Sequence, residues 1–360
     1  MRWCALCSGD SPLWSRRTFL AALGQAALVA GLPSRSSAII SVISEAGDVK
    51  IGQEADPEVL KQMGYYDGPD LQQYVAQVGQ RVVAVSDTRF GFQFKVVDQT
   101  YINAFALPGG FVYVTRGMLA GLNDEAQLAG VLGHEITHVN SRHGAQMLTK
   151  ALGTQLASLV GIGAAAAAGG QAVGAVAMIT NHLSTYMLLG YGREFEMEAD
   201  EVGLRHAHAA GYDPMRTVAF FRDLRRLEFM RGQPTYHGFD STHPDTAARI
   251  SKAYAMAGLL AAPGGALAVK ADAYKEQLDR MVYGEARDRL RLRIYTVKPG
   301  DTLESVARGQ LQDPGRRYEL ASLNGLRDDA VPPPGSRLKL IVRQGETEKR
   351  QELQLEKQQF

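Results

Sequence analysis

The chain has 360 residues, 45% hydrophobic and 21% charged, with a formal net charge of +1. That composition excludes a disordered or fibrous protein, and the length allows two or three domains with a substantial buried core. Near-neutral charge without a Lys/Arg-rich run or basic stripe argues against nucleic acid as a partner.

The first 38 residues read as an export signal of the twin-arginine type. Ser15-Arg16-Arg17-Thr18-Phe19-Leu20 is followed by a weakly apolar stretch to Leu32 and small residues up to Ala38. The apolar stretch falls short of the roughly 20 residues that span a bilayer. A periplasmic mature protein is therefore expected. Cys4 and Cys7, the two cysteines of the chain, lie in this removable segment. Their metal- or redox-like spacing has no partner ligands there, and the mature chain holds no thiol or disulfide.

Residues 39–262 are expected to form an α-rich domain with a small sheet. Leu71, Tyr74, Val75, Val78 and Val82 recur at helical spacing over 70–85, and Phe92, Phe94 and Val96 alternate as in a strand. A second strand, Phe111-Val112-Tyr113-Val114-Thr115, is entered through Pro108-Gly109-Gly110. Asn123 is positioned to cap a helix over 124–143. Residues 151–192 contain no Asp, Glu, Lys or Arg and break at Gly169-Gly170. A close-packed helical hairpin is one reading of them, and a surface touching membrane or client is the other. Ala and Gly are too weakly apolar for a span to be predicted there. Helices follow over 197–210, from Pro214 to 231, and after Thr242-His243-Pro244.

His134-Glu135-Ile136-Thr137-His138 lies in the second half of the 124–143 helix. At 3.6 residues per turn, positions 134 and 138 are about 40° apart, so both imidazoles can reach one metal ion. Glu135 borders the same face, where a carboxylate can accept a proton from the attacking water. A catalytic zinc takes three protein ligands and leaves one position open. Glu196-Met197-Glu198-Ala199-Asp200 is the best source of the third. Glu196 and Asp200 stack at i, i+4, one able to bind the metal and the other to orient a ligand imidazole. A solvated acidic helix start is the alternative. His143 is five positions past His138, about 140° away on a continuous helix. With His182, His206 and His208, it is read as structural.

These segments, with Asn103-Ala104-Phe105-Ala106-Leu107-Pro108-Gly109-Gly110 and Thr242-His243-Pro244 followed by Arg249-Ile250, make residues 50–262 resemble one family of zinc metallopeptidases. The family includes the CAAX prenyl endopeptidases, the bacterial membrane heat-shock protease and the periplasmic β-barrel-assembly-enhancing protease. The resemblance implies a mostly helical zincin-type α+β fold. It implies one Zn2+ on His134, His138 and Glu196, Glu135 as the base, and Asp200 as structural support. It further implies that His243 and Arg249 face the cleft, where either could stabilise an oxyanion. His243 could instead occupy the open zinc position and hold the enzyme latent. Phe111, Val112, Tyr113, Val114 and Thr115 would form an edge strand that pairs with extended substrate.

Residues 263–292 are expected to be a helical linker, and 344–360 a flexible charged tail. Between them, 293–343 run strand, helix, helix, strand from Tyr295-Thr296-Val297-Lys298-Pro299-Gly300-Asp301-Thr302-Leu303 to Pro334-Gly335-Ser336-Arg337-Leu338-Lys339-Leu340. This small βααβ module resembles a LysM domain, which implies binding to glycans such as peptidoglycan. The stretch 308–318 departs from the usual pattern, which leaves a module kept for packing or protein contacts as the alternative.

The sequence thus reads as an exported zinc endopeptidase acting on protein or peptide substrates, and the family resemblance implies quality control of envelope proteins as its work. The competing readings are a latent chaperone or scaffold at the cell wall and a peptidoglycan-cleaving hydrolase.

Overall fold

The computed structural model describes residues 43–149, 191–230, 247–261 and 266–344. The export segment 1–38, most of the uncharged stretch 151–192, His243 and the tail beyond Gln344 lie outside the described residues. The expected α+β architecture, mostly helical with small sheets, is observed.

Helix α1, Glu45–Met63, opens on Ser44, whose hydroxyl accepts from the Gly47 amide at 3.1 Å. Ile51, Ala55, Val59 and Met63 fall at four-residue spacing and bury one face. Helix α2, Pro69–Val83, starts on its proline and buries Leu71, Val75, Val78 and Val82.

Strands β1 (Gln93–Val97), β2 (Ala104–Leu107) and β3 (Phe111–Thr115) form one sheet in the order β1-β3-β2. β3 pairs parallel with β1 and antiparallel with β2. Gly109 and Gly110 turn the β2–β3 hairpin at φ +84° and +104°, where a side chain is strained. This order corrects one expectation. Phe111–Thr115 is the centre of the sheet, buried along its whole length, and both rows of its backbone groups are committed. The edge beside the motif helix belongs to β2. Alternating apolar residues mark a strand, but its place in the order is set by non-local pairing.

Helix α3, Arg116–Gly121, leads into α4, Glu125–Asn140, which carries the histidine motif. Asp124, rather than Asn123, is the cap: its carboxylate accepts from the Gln127 amide at 2.8 Å, and Arg216 grips its other oxygen at 2.7 Å. Helices α5 (Arg193–Ala209) and α6 (Pro214–Met230) pack on α4, and α7 (Ala247–Leu260) packs against α5 and α6. α4 and α5 cross at glycines. A β-carbon on Gly133 would stand 2.7 Å from the Gly203 carbonyl oxygen, and one on Gly203 would stand 2.7 Å from the His134 nitrogen. A side chain at either position would drive the helices apart.

The segment expected to be a helical linker does hold a helix, and it is packed into the core. It holds α8 (Ala271–Gln277) and β4 (Val282–Tyr283) and runs into β5 (Leu290–Thr296). Helices α9 (Leu303–Leu311) and α10 (Arg317–Leu323) and strand β6 (Arg337–Arg343) follow, with β5 central in the sheet order β4-β5-β6. One face of this module has its own core, including Val297, Leu303, Val306, Leu320, Leu338 and Leu340. Tyr274, Leu278, Leu292, Leu323 and Ile341 instead join the core of the peptidase-like domain. The Tyr274 hydroxyl donates to the Leu119 carbonyl at 2.7 Å. Lys339, with no exposed surface, donates from Nζ to the carbonyls of Ala120 at 2.7 Å and Leu122 at 2.6 Å. Burial pushes its amine well below the ordinary lysine value. No helix among the described residues is long and apolar enough to cross a membrane.

Candidate metal centre

Helix α4 supplies His134 and His138 one turn apart, and the glycine crossing brings α5 close enough for Glu196 to meet them. The carboxylate oxygens of Glu196 lie 3.5 Å from His134 Nε2 and 3.5 Å from His138 Nε2, and the two Nε2 atoms are 2.9 Å apart. All three side chains are buried. Ligands on a tetrahedral ion at about 2.0–2.2 Å stand roughly 3.3–3.5 Å from one another. Each imidazole already stands that far from one Glu196 oxygen, His134 from Oε2 and His138 from Oε1, and the gap between the two imidazole nitrogens needs to open by a few tenths of an ångström. The donor set of two imidazoles and a carboxylate suits zinc.

Charge also favours a cation here. His134 Nδ1 is 3.1 Å from Asp200 Oδ1. Burial opposes a charged imidazole, but hydrogen bonds and attraction from Asp200 and Glu196 override it and push the His134 pKa up to about 10. A site that holds a proton so firmly at its nitrogens also rewards a metal ion that displaces it. Burial would raise the Asp200 pKa, yet its bonds to Arg249 and His134 hold it below the usual carboxylate value.

Glu135 is fully buried next to His134 on α4. Arg249 enters from α7, itself buried. It donates from Nε to Asp200 Oδ2 at 2.7 Å and from Nη2 to Asp200 Oδ1 at 2.8 Å, and its Nη1 lies 2.8 Å from Glu196 Oε2. The guanidinium thus spans the two carboxylates expected to hold and support the metal. His143 contacts the centre although the helical wheel turned it away. Its Nδ1 is 2.9 Å from His138 Nδ1, and burial lowers its pKa. The wheel failed because α4 ends at Asn140 and Arg142 takes a left-handed φ of +54°, which turns the chain back. Tyr191, also not anticipated, stacks on the His138 ring at 3.7 Å. Leu107 and Pro108, at the end of β2, line a cleft beside His138 together with Val139, Arg142 and Tyr191. His206 and His208 sit in the last turn of α5 and join no cluster of metal-binding groups among the described residues.

A buried triad on two crossing helices, with β2 beside it, defines a metallopeptidase-type domain. The family model of peptidase family M48 matches residues 69–257, more than half of the chain, and the LysM domain model matches 295–340. The chain belongs to peptidase family M48, a metal-dependent family, and carries a LysM domain. It is 31% identical over 208 residues to the mitochondrial metalloendopeptidase OMA1 of Schizosaccharomyces pombe, covering 56% of this chain and 59% of that protein. It is 26% identical over 226 residues to the β-barrel assembly-enhancing protease of Escherichia coli K12, covering 62% of this chain and 46% of that one. The human metalloendopeptidase OMA1 is 34% identical over 162 residues, 43% of this chain and 30% of the relative. The chain therefore spans less than two thirds of the length of each of these relatives.

Proposed function

We propose that this protein is a zinc-dependent endopeptidase of the periplasm that hydrolyses envelope proteins. The carrying observation is the convergence of His134, His138 and Glu196 from two helices onto one ion-sized gap. Similarity to the β-barrel assembly-enhancing protease supports the envelope setting, as does the twin-arginine segment.

Zinc held there would supply Lewis acidity to a peptide carbonyl and acidify the attacking water. The chain's own residues do the remaining work. Glu135, shielded from bulk solvent, accepts the proton of that water and returns it to the leaving amine. Asp200 holds the His134 ring so that Nε2 faces the ion. Arg249 offsets the charge of Glu196 and Asp200 and is a positioning group in this reading, not an oxyanion donor. Among the described residues the sheet edge beside the cleft is that of β2, so an extended substrate would add to Ala104–Leu107. His243 remains assigned either to the oxyanion or to a latent state that caps the zinc. The LysM domain would hold the enzyme to peptidoglycan.

The test uses the zinc-loaded mature chain on casein and on peptidoglycan. Casein cleavage that Glu135→Gln removes, while zinc content is kept, is the expected result. Cleavage seen only in His243→Ala would establish latency. Release of muropeptides without casein cleavage would overturn the protease reading.

A further inference from the structure

His143 is a buried imidazole to which the chemistry above assigns no part. Its Nδ1 lies 2.9 Å from His138 Nδ1. Two ring nitrogens at that distance share one proton, so one donates and the other accepts. The direction follows from the ligand role of His138. Its Nε2 faces His134 and Glu196, and a coordinating nitrogen carries no proton, which leaves the hydrogen on Nδ1. His143 Nδ1 is then the acceptor, and its own hydrogen lies on Nε2, which faces Glu198 Oε2 at 3.5 Å.

We propose that His143 is a positioning residue of the metal centre: it accepts the His138 Nδ1–H and so fixes the tautomer and ring plane of that ligand. This rests on the zinc-centre reading and extends it. The two ligand histidines are supported by unlike partners. His134 leans on the Asp200 carboxylate, and His138 on a neutral imidazole. A neutral acceptor adds no further negative charge to a pocket that already holds Glu135, Glu196 and Asp200.

The surroundings are built to hold this pair. Arg142 takes the left-handed region at φ +54°, a conformation that L side chains rarely adopt. Its guanidinium is tied at 2.5 Å to the buried Asp48 of α1, and that turn sets His143 alongside His138. Phe195, the neighbour of Glu196, stacks on the His143 ring at 4.2 Å and 16°. Tyr191 stacks on the His138 ring at the same 16° tilt.

The experiment compares the full chain with His143→Ala, His143→Asn and His143→Gln. Zinc affinity is read by competition with a chromophoric chelator, and the melting temperature of each metal-free protein is recorded. The Oδ1 of asparagine sits where His143 Nδ1 sits, while the glutamine amide lies one bond farther out. Alanine and glutamine should weaken zinc binding by about 10–100-fold, the range for lost support of a ligand histidine, and asparagine should restore most of it. The metal-free asparagine and glutamine variants should melt alike. Zinc affinity unchanged in all three variants would overturn the proposal. So would losses of affinity that track metal-free melting temperature with no advantage for asparagine. A wild-type chain that binds no zinc would overturn the metal-centre reading and this inference with it. A wild type that binds zinc beside an indifferent His143→Ala would overturn this inference alone.

Discussion

Gly133 and Gly203 lie back to back where α4 crosses α5, each so close to the other helix that a β-carbon would stand 2.7 Å from its backbone. Gly133 directly precedes the first motif histidine, and Gly203 follows Asp200 by three residues. The approach of these helices sets how far the imidazoles stand from the carboxylate.

Gly203→Ala tests that spacing through the sign of its effect. In an exposed helix the change would stabilise by up to about 1 kcal/mol. At this crossing the new methyl meets backbone that cannot yield locally. A loss of about 1–3 kcal/mol is expected in urea unfolding, with weaker zinc binding in titration. A gain in stability would show that the helices separate freely and that their approach does not set the site.

Arg249→Leu should destabilise the metal-free protein by about 3–5 kcal/mol, because it strands the buried carboxylates of Glu196 and Asp200. Zinc should then raise the melting temperature by more in the variant than in wild type, since the ion replaces the missing positive charge. A variant of unchanged stability that has lost only turnover would point back to an oxyanion role for this arginine.

Glu125, in the first turn of α4, accepts from the hydroxyls of Tyr74 and Tyr212 and pairs with Arg81 and Lys270. Burial would raise its pKa, but Lys270, the two tyrosines and Arg81 together hold it below 4.5. A depressed carboxylate contributes stability that is full above its unfolded pKa and is lost as pH falls through the folded value. Glu125→Gln should cost about 1–3 kcal/mol at neutral pH and flatten the stability profile below pH 4.5, as measured by denaturant unfolding across pH. A profile parallel to wild type throughout would discount the role of this carboxylate.

Much of the site was legible in the sequence because its logic is local. Two histidines at i, i+4 share a helix face whatever surrounds them, and Glu196 and Asp200 stack for the same reason. The features that escaped depend on where helices stop and on what packs from afar. His143 was placed by extending a helix that ends three residues earlier. The central position of Phe111–Thr115 follows from a parallel pairing with β1 that alternation cannot reveal. Helix α1 was not anticipated, although Ile51, Ala55, Val59 and Met63 repeat every four residues. One signal for the docked C-terminal module was present in β6. Leu340, Ile341 and Val342 form an unbroken apolar run that a strand with one wet face does not need, whereas Lys339 alternates with Leu338 and Leu340 as a solvated residue would, so its burial was not legible.

Lys339→Met should destabilise the whole chain by roughly 1–3 kcal/mol, because the carbonyls of Ala120 and Leu122 lose a buried donor. Calorimetry of the wild type should show one heat-absorption peak, since the LysM sheet and the peptidase domain share a core. Two separated peaks, with the lower one alone moved by Lys339→Met, would show that the module folds independently.

A LysM module bolted on by Lys339 has no swing. On the proposed reading, any wall glycan it gripped would set the compass bearing of the cleft, and the enzyme would survey a fixed arc rather than a sphere drawn by a tether.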